Sequence, residues 1–163
     1  MTREAGTLKL AVTGAAAVAL AASLSGGGAI AQEAQSAGLV SYTVVANTIP
    51  QPLTAMPGDP ASGRRVTMNR ESGDCVLCHA LPEMPVESLH GNVGPPLAGV
   101  GARLNAAQLR MRVVDPTRIN PDSVMPAYYR VKNLTRVASA YRGKPVLTAQ
   151  QVEDVIAYLQ GLR

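Results

Sequence analysis

The chain of 163 residues contains no Phe and no Trp, five Tyr, two Cys and two His. That length suits one domain with residues to spare for export and extension. A domain without large aromatic side chains needs some other bulky apolar object at its centre. Two cysteines are too few for a zinc site, which needs a fourth ligand and a repeated pair. No Gly-rich phosphate loop, Ser/His/Asp set or paired carboxylates occur, so the chain offers no catalytic residue of its own. The net charge of +4 comes without the dense Lys/Arg clustering that argues for nucleic acid. A partner-docking face or an anionic substrate remains compatible with it.

What the chain does have is Cys75-Val76-Leu77-Cys78-His79. C-x-x-C-H is the attachment signal of a c-type haem: both sulfurs add to haem vinyl groups and the adjoining histidine ligates the iron. Two intervening residues let the thiols reach two vinyls on one edge of the macrocycle while His79 falls beneath its centre. A disulfide or a thioredoxin-like redox pair would share the two cysteines and leave His79 without a role.

The N-terminus reads as an export signal. Arg3 and Lys9 precede an apolar run from Leu10 to Leu24, Gly26-Gly27-Gly28 breaks it, and Ala29-Ile30-Ala31 offers small residues for cleavage. The run falls short of the roughly 20 residues that span a bilayer. Thioether attachment of haem belongs to extracytoplasmic settings, so a periplasmic location is expected, with residues 1–31 as signal peptide and no membrane span in the mature chain.

Residues 32–60 carry Pro50, Pro52, Pro57 and Pro60 and a short β-prone run at Ser41–Val45, the pattern of an extended arm that lies over a surface. Its apolar residues, among them Ile49 and Leu53, make it a candidate for wrapping a partner, mobile until that partner orders it. The helical domain is expected over 61–163. Asp59 as N-cap and Pro60 at the first position start a helix running to about Arg70. Gly63 inside it suggests a close helix crossing. Asn105 and Gln108 cap a helix that ends before Asp115-Pro116, with Leu104 and Leu109 placed as a staple. Thr148 and Gln151 cap the last helix, whose Val152, Val155, Ile156 and Leu159 form one apolar stripe.

Two loops carry the remaining candidates. Gly94-Pro95-Pro96-Leu97 can aim a rigid carbonyl at the free ring N–H of a haem-ligand histidine, or be a plain turn. His90 is either an alternative sixth ligand or a surface-loop residue. Haem with histidine on one face commonly takes Met on the other. Met1 goes with the signal, Met68 and Met111 fall in helices, Met84 sits close behind His79 and Met56 lies in the arm. Met125, in a Pro-rich loop, is the candidate, with a core or surface methionine as the alternative.

With these motifs in hand, and with Ala98-Gly99-Val100-Gly101-Ala102-Arg103 and Val124-Met125-Pro126, the chain from Ala61 onward resembles class I cytochromes c. The resemblance implies an all-α domain around one covalent haem c, with Gly63 packed against Tyr158 where the first and last helices cross. It also implies that Pro95 accepts from His79, that Arg103 neighbours a haem propionate and that Met125 is the distal ligand.

More narrowly, Leu89-His90-Gly91-Asn92-Val93, Leu109–Asp115, Met125-Pro126-Ala127-Tyr128-Tyr129 and Tyr141–Leu147 are similar to the SoxX family, small cytochrome subunits of SoxAX complexes. That resemblance implies a heterodimer with a catalytic SoxA-like cytochrome, oxidative coupling of thiosulfate to a carrier-protein cysteine by the complex, and a downstream small electron acceptor. The chain would relay electrons without doing the sulfur chemistry. A free-standing respiratory electron carrier is the alternative, and a haem-based sensor would need an open sixth position.

Overall fold

The computed structural model describes residues 39–84 and 91–163; the expected export signal, the start of the arm and His90 lie outside the described residues. Asp59 accepts from the N–H groups of Ala61 and Ser62 at 3.2 and 3.0 Å, and Pro60 takes the first helical position, so α1 spans Pro60–Met68. A short α2 follows at Val100–Arg103. Asn105 and Gln108 cap each other's backbones, both at 3.0 Å, and α3 runs over Ala106–Val114 until Pro116 prevents continuation. Thr148 and Gln151 repeat the device for α4, Ala149–Gly161. Single 3₁₀ turns occupy Cys75–Leu77, Pro116–Arg118 and Ser139–Tyr141.

Among the described residues there is no strand; the β-prone run contributes only an isolated bridge between Val45 and Thr48. The described residues are all-α, as expected. No helix of the described residues is long and apolar enough to cross a membrane.

α1 and α4 form the most extensive helix pair. Their backbones approach so closely at Gly63 that a Cβ there would lie 1.9 Å from the Asp154 carbonyl oxygen and 2.9 Å from Tyr158 Cβ. Glycine is the residue that permits this crossing. The stripe of α4 is buried as its spacing predicts, with Val152, Val155, Ile156 and Leu159 all in the core.

The arm departs from expectation. Ile49 is 0 % and Leu53 3 % exposed, both within the chain's own core. They are held there by a buried pair on two helices. Arg110 of α3 forks onto Glu153 of α4, Nε to Oε1 at 2.7 Å and Nη2 to Oε2 at 2.8 Å. Arg110 Nη1 donates to the Ile49 carbonyl at 2.7 Å, and the Leu53 N–H donates to Glu153 Oε1 at 2.8 Å. The backbone of Ile49 also donates to Ala107 at 3.1 Å. Ile49 and Leu53, expected to wait for a partner, are therefore used on the chain itself. Val40, Val45 and Met56, 44 %, 53 % and 64 % exposed, are the arm's uncovered large apolar residues among those described. The arm remains extended, as read, but it is a docked strap over α3 and α4.

Candidate haem site

The 3₁₀ turn after α1 arranges the motif. Asp74 adopts a left-handed φ of 43°, and the N–H groups of Cys78 and His79 both donate to the Cys75 carbonyl, at 3.1 and 2.9 Å. Cys75 and His79 thus lie one turn apart and point into the same space. That space is a cavity of about 880 Å³, lined by Cys75, Cys78, His79 and, from across the fold, Met125. Val155 and Leu159 of α4 and Val113 of α3 form its apolar wall.

His79 is fixed from behind. Its Nδ1 lies 2.8 Å from the Pro95 carbonyl oxygen. A carbonyl only accepts, so Nδ1 carries the proton and Nε2 is the atom left to bind iron. Gly94 lets the loop press on the ring, since a Cβ there would sit 2.3 Å from His79 Cε1. The loop is tied down by Gly94 N–H to the Cys78 carbonyl, 2.8 Å, and Leu97 N–H to the Ala80 carbonyl, 2.9 Å.

Arg103 lines the cavity and braces the same loop, donating from Nη1 to the Ala98 carbonyl at 2.7 Å and from Nη2 to the Pro96 carbonyl at 3.3 Å. Two of its five donors are engaged in this way. Tyr128, also on the cavity wall, donates its hydroxyl to the Gly73 carbonyl at 2.8 Å, and burial pushes its phenol well above the usual range. Burial likewise pushes the free Cys75 thiol up to about 11, against the opposing hydrogen bonding of Thr67, so an unattached sulfur stays protonated at neutral pH.

Met125 is half-buried in a turn where its N–H donates to Ser123 Oγ at 3.3 Å. Among the described methionines it alone lines the cavity. Met111 is fully buried in α3, Met84 and Met68 pack against the core, and Met56 is 64 % exposed in the arm. Every residue expected at the site lines or braces this cavity, and the donor set fits a haem: two thiols of one short turn, one oriented imidazole and one thioether on the facing loop, in an apolar chamber. Among the described residues no three or more His, Cys, Asp or Glu side chains are grouped so as to hold a bare metal ion.

Sequence reasoning missed Tyr128 and the Arg110–Glu153 pair. Glu153 did carry a signal, since it precedes Ile156 by three residues and so leans onto the apolar face of α4. Arg110, flanked by Leu109 and Met111, gave none.

The cytochrome c family model matches residues 60–163. The fold is similar to a chain in the crystal structure of SoxXA from P. pantotrophus, with 35% identity over 74% of this chain and 93% of that one and a TM-score of 0.68. No curated protein matches the sequence. The chain belongs to the cytochrome c family, where it is a SoxX-like electron-transfer cytochrome carrying covalent haem c.

Proposed function

We propose that this chain is the electron-relaying subunit of a periplasmic SoxAX-type complex, with a catalytic SoxA-like cytochrome as its partner. The observation that carries the site is the convergence of Cys75, Cys78, His79 and Met125 on one cavity. In this reading Cys75 and Cys78 hold the haem, His79 and Met125 ligate its iron and Arg103 faces a propionate. When bound, the haem supplies a one-electron iron couple. The Pro95 carbonyl keeps the His79 ring in one tautomer and one orientation, and the apolar wall excludes water, so little has to reorganise as charge changes.

Both sulfurs are consumed by attachment, which leaves no thiol for sulfur chemistry; that chemistry falls to the partner, as does coupling of thiosulfate to a carrier cysteine. Leu77, Val93 and Val124, from three separate segments, line the cavity and are 67 %, 67 % and 80 % exposed. An apolar rim of this kind at a cofactor's edge supports docking of another protein there. The docked arm keeps a second reading in view, a free-standing carrier, because Ile49 and Leu53 are not available to a partner. Purification of the native protein from a periplasmic extract separates the two. A second cytochrome subunit in equal amount is the expected result, and a monohaem chain eluting alone would overturn the subunit reading.

A further inference from the structure

The loop from Arg130 to Lys144 carries Arg130, Lys132, Arg136, Arg142 and Lys144 and no acidic residue. Arg130 is already engaged: its Nε lies 3.0 Å from Asp115 Oδ2, and its Nη1 donates to the Lys132 and Asn133 carbonyls at 3.0 and 2.9 Å. Two of the loop's acceptors are used up by that guanidinium. What remains is rich in donors. Among the described residues, no side chain or backbone group accepts from the Arg136 or Arg142 guanidinium, and no backbone N–H from Val131 to Ala138 donates to a backbone carbonyl.

These groups share a concave feature. Asn133, Arg136, Arg142 and Gly143 line a surface cleft of about 420 Å³ that shares no lining residue with the haem cavity. Three of the four hold left-handed backbone, φ 56° at Asn133, 56° at Arg136 and 69° at Gly143. Such a φ is unfavourable for an arginine, whose Cβ then crowds its own carbonyl. Left-handed residues set within turns also direct successive N–H groups to one side, the arrangement that binds anions.

We infer that this cleft is a binding site for a small tetrahedral oxyanion, held by the Arg136 and Arg142 guanidiniums and by main-chain N–H groups of the loop. Guanidinium forks suit two oxygens of one anion, and the charge persists at all physiological pH values. A cleft of about 420 Å³ with two guanidiniums on its lining has room for one small anion. The inference stands on the loop's own geometry and does not depend on the assignment to a two-subunit complex.

The test is titration of the ferrous holoprotein with sulfate, phosphate and thiosulfate, followed by amide NMR at ionic strength held constant with chloride. Saturable shifts confined to residues 131–143 are expected, with affinity falling about tenfold in Arg136→Gln and again in the double variant with Arg142→Gln. Arg112→Gln, outside the cleft, should leave the affinity unchanged. Shifts that never saturate, that chloride reproduces, or that survive in the double variant would overturn the site. So would binding of acidic peptides with no response to the small anions. The haem spectrum of each variant confirms that the domain is intact.

Discussion

On one side of α4, Glu153 meets Arg110, Ile49 and Leu53 and every polar atom of the pair finds a partner from this chain. On the other, Val155 and Leu159 face a cavity of about 880 Å³ that the chain's own side chains do not fill. The first interior is completed by long-range pairing of charge and strap. The second is completed only by a cofactor, which is why a domain with no Phe or Trp can afford so few bulky residues. One helix thus joins a self-sufficient half to a dependent one.

The largest effect should come from emptying the dependent half. Changing Cys75 and Cys78 together to Ala prevents covalent attachment, and a core deprived of its central apolar body should lose stability comparable to the roughly 5–15 kcal/mol by which a domain is stable. The expected outcome by circular dichroism is loss of the cooperative thermal transition. A sharp melt in the variant would show that the cavity side folds unaided and would erase the contrast.

The self-sufficient half can be broken from within. Glu153→Gln leaves the Arg110 charge buried and short of its partner, and should cost about 3–5 kcal/mol in denaturant unfolding of the holoprotein. Replacing both residues, Arg110→Met with Glu153→Leu, should recover most of that loss, because the desolvation penalty disappears with the charges. If the double variant is no better than the single one, the hydrogen bonds to Ile49 and Leu53 matter more than the charge pairing.

These two halves differed in how far the sequence disclosed them. Helix starts were legible because caps are local: Asp59, Asn105 and Thr148 each act within three residues. The haem motif was legible because C-x-x-C-H is a covalent pattern; Pro95 and Met125 were candidates beside a plain turn and a core or surface methionine, and it was the family resemblance that singled them out. The strap was not. Arg110 and Glu153 are 43 residues apart, and a fork between them is a tertiary event that no periodicity announces. Reading Ile49 and Leu53 as partner anchors failed for the same reason: their apolar character is visible in sequence, their destination is not.

A smaller effect should appear where α1 and α4 meet the surface. Glu83 accepts from the Tyr158 hydroxyl and pairs with Arg64 Nε at 3.2 Å. Burial pushes its carboxyl up, but the Tyr158 hydrogen bond and Arg64 outweigh this and hold it below the usual carboxylate range. A folded-state value below the unfolded one gives stability that is present above about pH 4.3 and lost as pH falls further. Tyr158→Phe should flatten that acid limb, by no more than the ~1 kcal/mol of an exposed pair. An unchanged pH profile would remove Glu83 from the account.

The most direct test of the central claim, a haem held between His79 and Met125, is proton NMR of the ferrous holoprotein. A methionine methyl lying over the haem is shifted strongly upfield by the ring current. The account predicts one such resonance, lost in Met125→Ala and kept in Met84→Ala. The Met125 variant should also bind exogenous ligands and show a potential lower by on the order of 0.1–0.3 V, within the ~0.8 V over which axial ligands tune haem. An upfield methyl that survives Met125→Ala and vanishes with Met84→Ala would contradict it.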